Sequence, residues 1–465
     1  MEAEKQGVKK NREVLMTEGP LWNKILAYAL PLAATGILQQ FFNAADIAVV
    51  GRFTGAQGPT AMAAVGANSP VIGLAINTLI GVSLGTNVVI ANAIGSGDHK
   101  TVKKAVQTSI CMALIVGVIM ALMGQILANS VLHAQNIPDE VFPYAVRYFR
   151  IYFLGSPVIL LYNFEAAIFR GVGNTKTPLM ALVFSGGLNI ALNLFFVLGL
   201  HMTVEGVAIA TVVSNLTSAT ILFYDLLKAD SVAKINIKDL SIDFRVLAKI
   251  LRIGIPAGLQ SGVFNLANMI IQTAINSLGT IVMAASSAAF NIEVFVWNVI
   301  NGFSQACTTF TGQNFGAGKI KRCKKAALLC WGEGLLFMGS AIFLVLLLGH
   351  QMLSIFNTDP EVIRVGYIRL VLIFSAYIFS LTYDTMSGYL RGFGISVVPA
   401  ILTMVGVCGV RITWIYGVFP HYRSFANIML VYPISLAVTA GLIFCALCYY
   451  KPYKKWGNTS SVGSE

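Results

Sequence analysis

Long apolar runs separated by short polar clusters are the first pattern along this chain. The runs fall near 25–50, 60–93, 102–131, 144–169, 178–200 and 204–226, and again near 249–276, 282–314, 324–349, 366–390, 398–419 and 426–450. A helix needs roughly 20 apolar residues to cross the hydrocarbon core of a bilayer, so each run predicts a transmembrane helix. Between the two sets, residues 227–248 form the most polar internal stretch, with Lys228, Asp230, Lys234, Lys238, Asp239, Asp243 and Arg245. The expected layout is an N-terminal segment (1–24), a first lobe of six helices (25–226), a linker (227–248), a second lobe of six helices (249–450) and a tail (451–465). The fold class this predicts is an all-α membrane protein of twelve helices.

The two sets repeat each other. At an offset of 221, Arg170-Gly171-Val172-Gly173 matches Arg391-Gly392-Phe393-Gly394, and Pro178 matches Pro399. The same offset pairs Asn77 with Asn298, Gly81 with Gly302, Gly95 and Gly97 with Gly316 and Gly318, and Lys103-Lys104 with Lys324-Lys325. An even number of spans per half keeps both halves in the same orientation. The expected relation is a pseudo-twofold axis along the membrane normal, with a substrate cavity near the midplane.

Composition narrows the classes further. Of 465 residues, 56% are apolar and 11% charged, against about 25% charged in soluble domains. That excludes a soluble enzyme and leaves little chain for a nucleotide-binding domain. The net charge of +12 does not point to nucleic acid, because the basic residues sit in short clusters between spans. With the N-terminus inside, 25 of the 32 Lys and Arg fall on cytoplasmic segments, and Arg52, Arg147, Arg150, Arg364, Arg369 and Arg423 fall outside. By the positive-inside rule both termini are expected in the cytoplasm of a cell (inner or plasma) membrane protein. The first apolar run lacks a small-residue cleavage site and reads as an uncleaved span. Seven cysteines without regular spacing and five unclustered histidines predict neither disulfides nor a metal centre.

Five acids fall inside apolar runs: Asp46, Glu165, Glu293, Glu333 and Asp384. A charge at the bilayer centre costs about 2.5–3.5 kcal/mol on insertion scales, so each needs a partner, a cavity or a proton. Asp46 follows Gln39 and Asn43 at helical spacing, which predicts a polar stripe facing the protein interior. Asn189, Asn193 and Thr211, with Ser214 and Asn215, are candidates to face Asp46, either as helix-joining amides or as a cation or proton site. Glu293 is expected near mid-membrane, facing the stripe Asn265, Asn268, Gln272 and Asn276, with Asn291 and Asn298 on its own helix. It reads as a second acid able to exchange a proton. Glu165, Glu333 and Asp384 read as structural, although Tyr383 and Tyr389 keep Asp384 in the expected substrate cavity. That cavity is expected to comprise Gln39, Asn43, Asn68, Asn265, Asn268, Gln272, Asn298 and Asp384. Mid-span Arg411 is the one basic residue able to line it.

The elements Phe169-Arg-Gly-Val-Gly through Pro178 and Leu390-Arg-Gly-Phe-Gly through Pro399, the stretch TGQNFGAGKIKRCKKA (311–326), VEGVAIATVVS (204–214) and NIALN (189–193) together resemble the multidrug and toxic compound extrusion (MATE) transporters, a bacterial branch most closely. The resemblance covers about 20–450. It implies two six-helix lobes, alternating access, and export of organic cations against inward H⁺ or Na⁺, with no other cofactor and a monomer among membrane lipids. It assigns Asp46, Asn189 and Thr211 to the first-lobe ion site, where Na⁺ would bind. Asn193 stands where several relatives carry a second aspartate, which favours H⁺. Phe264 stands where another branch carries a glutamate, leaving Glu293 as the second-lobe acid. The alternatives are a lipid-linked-precursor flippase of the same superfamily, which would need several basic cavity residues, and an intramembrane enzyme.

Overall fold

The computed structural model describes residues 14, 16–135, 137–229 and 232–452. Most of the N-terminal segment, Asp230 of the linker and the tail beyond 452 lie outside the described residues. In chain order the helices are α1 (Trp22–Phe53), α2 (Gly58–Gly95), α3 (His99–His133), α4 (Phe142–Leu154), α5 (Ser156–Gly171), α6 (Lys176–Leu194) and α7 (Val204–Lys228). Then follow α8 (Phe244–Asn276), α9 (Thr280–Gly316), α10 (Ile320–Ser354), α11 (Pro360–Phe374), α12 (Tyr377–Gly392), α13 (Val397–Thr403), α14 (Val410–Gly417) and α15 (Phe425–Tyr450). A π-helical turn, Phe195–Gly199, ends α6, and another, Met404–Gly409, joins α13 to α14.

Among the described residues nine spans are long and apolar enough to cross a bilayer, counting α13 to α14 as one, and two bent pairs add to them: α4 with α5 (48°) and α11 with α12 (44°). The twelfth is α8. Its 33 residues carry Arg245, Lys249 and Arg252 at one end and the amide stripe beyond, which lowers its hydropathy. The bend between α4 and α5 has a local cause. Gly155 lies so close to α7 that a Cβ there would come 2.3 Å from Val212 Cγ2, and Pro157 at the start of α5 cannot continue α4.

The chain divides into two compact units. The first comprises Thr35–Ile90 and Asp98–Leu251. Its core joins Val49, Val50, Ala61, Ala64 and Val65 to Phe149 and Phe153 of α4 and to Val204 and Val207 of α7. The second comprises Val14–Ala34, Ala91–Gly97 and the chain from Arg252 onward. Within it, the start of α1 packs Tyr28 against Phe310, edge to face at 5.8 Å.

The 221-residue repeat is built into contacts inside each unit. A Cβ on Gly171 would meet Ile90 Cγ2 at 2.8 Å, and one on its repeat mate Gly392 would meet Thr311 Cβ at 2.5 Å. Ile90 and Thr311 are themselves 221 apart. Within the second unit the repeat mates Gly95 and Gly316 cross reciprocally. A Cβ on Gly95 would lie 1.9 Å from Gln313 O, and one on Gly316 would lie 2.1 Å from Asn92 O. Only glycine allows this approach.

Candidate functional site: a buried acid among neutral donors

In the first unit, Asp46 of α1 is 8% exposed. Asn193 of α6 donates its Nδ2–H to Asp46 Oδ1 at 2.5 Å and to Asn189 Oδ1 at 3.2 Å. Thr211 of α7 lies with its hydroxyl 3.2 Å from Asp46 Oδ2 and 2.9 Å from Val207 O. One hydroxyl proton serves only one of these acceptors at a time. Tyr148 and Tyr152 of α4 lie within electrostatic reach of the carboxyl. No lysine, arginine or histidine pairs with Asp46 among the described residues.

Helix periodicity explains the assembly. Asn189 and Asn193 stand one turn apart on α6 and so share a face. The sequence reading put the four residues Asp46, Asn189, Asn193 and Thr211 together, and the structure brings them into contact. Gln39 and Asn43, read as part of the same stripe, are exposed on α1 and make no hydrogen bond with the cluster. Asn68 is different from its expectation. It is fully buried, and its Nδ2 donates to Ala64 O (2.8 Å) and Ala145 O (3.0 Å). It ties α2 to α4.

The donor set can be weighed against the two ions, H⁺ and Na⁺, that the sequence resemblance implies. A Na⁺ would draw on the carboxylate, Asn189 Oδ1 and Thr211 Oγ1, but Asn193 presents its N–H between two acceptor oxygens. Its amide would have to rotate to offer the ion oxygen, so the residues in place suit a proton on Asp46 better. Among the described residues no cluster of three His, Cys, Asp or Glu could hold a metal ion.

The second unit is arranged otherwise. Glu293 of α9 does not stand as a lone acid. Arg369 of α11 donates to both its oxygens, Nε to Oε1 at 2.6 Å and Nη2 to Oε2 at 3.0 Å, and Nη1 donates to Ser286 Oγ at 2.5 Å. The two side chains are 6% and 3% exposed. Arg369 was read from sequence as lying outside the membrane. The overlooked signal is its place inside the apolar run 366–390, as its fourth residue.

Of the expected cavity residues here, Asn265 donates to Ser261 O on its own helix, Gln272 to Asn276 Oδ1, and buried Asn298 to Val294 O. Asn268 accepts from Arg411 Nη1 at 3.0 Å. Asp384 is half-buried and within electrostatic reach of Arg391, whose Nη2 donates to Gln260 Oε1 at 2.6 Å. Glu165 in the first unit is fully buried, and neither carboxyl oxygen has a hydrogen-bond partner among the described residues.

Comparison with known proteins agrees with this architecture. The MatE family pattern matches residues 31–195 and 256–416. The chain is 26% identical to the probable multidrug resistance protein YoeA of Bacillus subtilis over 433 residues, 91% of this chain and 93% of the relative. It is 27% identical to the probable multidrug resistance protein NorM of Thermotoga maritima over 404 residues, 86% of each. A crystal structure described as the outward-facing conformation of a multidrug resistance MATE family transporter superposes with a TM-score of 0.88. It has 23% identity and covers 96% of this chain and 99% of the other. With a family pattern spanning both repeats and twelve apolar helical segments, this multi-pass membrane protein belongs to the MATE family of multidrug efflux transporters.

Proposed function

We propose that this transporter exports small organic cations in exchange for inward protons, with Asp46 as the group that trades one for the other. One observation carries the reading: a buried carboxyl held by Asn193 and Thr211, neutral donors, with no cationic side chain in contact among the described residues. An ionised Asp46 attracts a cation, and proton binding removes that attraction. A coupling ion drives exchange only by binding the two conformations of the carrier unequally. Exchange of one H⁺ for one monovalent cation moves no net charge, so the pH gradient alone drives it. A divalent substrate would also work against the potential, by about 2.3 kcal/mol per charge per 100 mV. Na⁺ is the alternative coupling ion. The exchange needs no catalytic step and no cofactor beyond the ion, and the carrier works as a monomer in the cell membrane with both termini cytoplasmic.

Glu293 is left out of this exchange, because loss of its charge would strand Arg369 in the interior. The flippase alternative asks for several free basic groups against a pyrophosphate. In the second unit Arg369 is neutralised by Glu293, which leaves Arg411 too weak in charge for such a head group.

The test uses everted vesicles with a pH-sensitive dye and ethidium as the cation. Ethidium should release protons from the lumen of energised vesicles that carry the wild type and not from those that carry Asp46→Asn. Proton release that persists in the variant refutes the assignment. Release that requires Na⁺ at every pH transfers the coupling to Na⁺.

A further inference from the structure

The second unit holds a buried cation that the proposed exchange does not use. Arg411 lies at the start of α14, directly after the π-helical turn Met404–Gly409. That turn widens the helix and packs Gly406 so closely on α15 that a Cβ would lie 2.3 Å from Thr439 Oγ1. Arg411 is thereby brought against α15 and α8. Its side chain is 2% exposed. Nε donates to Ser435 Oγ at 3.3 Å and Nη1 to Asn268 Oδ1 at 3.0 Å. Nη2 has no acceptor among the described residues.

The guanidinium stacks over Tyr432, 4.4 Å from the ring centroid, with Phe264 at 5.3 Å. Tyr432 also lies 5.7 Å from the Arg369 guanidinium. Two guanidiniums thus flank one tyrosine ring, and the carboxylate of Glu293 pairs with Arg369. The other charged or titratable groups near the cluster are Tyr377, Tyr383 and the buried thiol of Cys408, with Asp384 next to Arg391 rather than Arg411. No carboxylate forms an ion pair with Arg411 among the described residues.

Buried charges in proteins are paired or bind an ion, because an interior offers no water to replace a counter-charge. The cluster carries one positive charge in excess. Its open donor is part of a planar fork, the geometry that suits a carboxylate. Phe264, Asn268 and Tyr432 are each only half-buried, so an aromatic body can lie beside them. We infer that the second unit contains an anion site at Arg411, Asn268 and Tyr432 that takes the carboxylate of a small aromatic monocarboxylate or of a zwitterion. The site is opposite in sign to the Asp46 site and independent of it. It extends the range of cargo from cations to molecules that carry a single negative group.

The experiment is calorimetric titration of the purified full-length protein at constant ionic strength with 2-naphthoate and its neutral analogue 2-naphthamide. The wild type should bind naphthoate at least tenfold more tightly than naphthamide. Arg411→Gln should weaken naphthoate at least tenfold and leave naphthamide unchanged. Arg411→Lys, which keeps the charge and loses the fork, should fall between. Asp46→Asn should bind naphthoate as the wild type does, which separates failure here from failure of the proton exchange. Should Arg411→Gln not fold, Tyr432→Leu takes its place, again with loss confined to naphthoate. Equal binding of the two probes, no binding of naphthoate by the wild type, or a variant with unaltered naphthoate affinity overturns the inference.

Discussion

Glu293 is the residue where two physical readings give opposite outcomes, and Glu293→Gln separates them. In the structure its carboxylate receives two hydrogen bonds from Arg369, and both side chains are almost wholly buried. Removing one partner of such a pair leaves an uncompensated interior charge, which costs about 3–5 kcal/mol. The replacement amide keeps an oxygen for one of the two hydrogen bonds, so the lower end of that range applies. For a unit of this size each kcal/mol lowers Tm by about 2–4 °C. The expected result is therefore a Tm lower by roughly 6–12 °C. The double variant Glu293→Leu/Arg369→Met removes both charges together and should recover most of that loss.

Thermal unfolding of the detergent-purified protein measures the stabilities, and proton release in vesicles measures coupling in the same variants. If the ion pair is structural, the double variant regains stability and still exchanges ethidium for protons. The reasoning fails if Glu293→Gln melts with the wild type. It also fails if the double variant folds well but has lost the pH dependence of transport, for then Glu293 is a coupling acid whose partner releases it during the cycle.

Three further outcomes follow from particular contacts. Asn193→Asp would set a second carboxyl 2.5 Å from Asp46 Oδ1. Two carboxylates that close cannot both ionise without a cation, so ethidium export should become Na⁺-stimulated; a Na⁺-free rate equal to that with Na⁺ contradicts this. Gly316→Val should destabilise the second unit by several kcal/mol, because even a Cβ would lie 2.1 Å from Asn92 O. A Tm within 2 °C of wild type, on the order of 1 kcal/mol, counts against the close crossing. In the linker, the Lys104 ammonium 2.8 Å from Asp243 Oδ2 holds that carboxyl below its ordinary value, aided by the N–H groups of Val246 and Arg245. A depressed folded-state pKa adds stability above the unfolded value, near 3.9, and loses it as pH falls through the folded one. Asp243→Asn should lower Tm at pH 7, and the difference from wild type should shrink as pH is taken progressively below the unfolded value, about 3.9; a loss that stays constant down the acid range would point to packing instead.

The parts of this molecule that could be read from sequence are those whose physics is local or periodic. Span length, the 221-residue repeat and the spacing of Asn189 and Asn193 all depend on residues near one another in the chain or on its internal copy. The left-handed glycines show this well: Gly97 and Gly318, and Gly173 and Gly394, are repeat mates with φ between 69° and 93°, so the same turn demands the same residue twice. Pairing across helices is a different kind of property. Nothing near Arg369 in sequence marks Glu293 as its partner, and an arginine close to the start of an apolar run reads as an interfacial group. Asn68 likewise looks like a cavity amide until the carbonyl of Ala145 is beside it.

The same distinction bears on how one duplicated framework holds a buried acid in one unit and a buried guanidinium in the other. At the repeat offset, Asn189 and Asn193 fall on Val410, which has no side-chain donor, and Trp414, whose indole N–H goes to Asn427 O at 3.0 Å, while the neighbouring Arg411 takes the interior position. The close approaches at Gly171 and Gly392 require glycine at the same place in both halves. The polar side chains that project into each bundle face no such demand, so they diverge freely. The two units therefore share the glycines at which their helices touch and differ in their buried charged groups, Asp46 among neutral donors in the first and Arg411 against Tyr432 in the second.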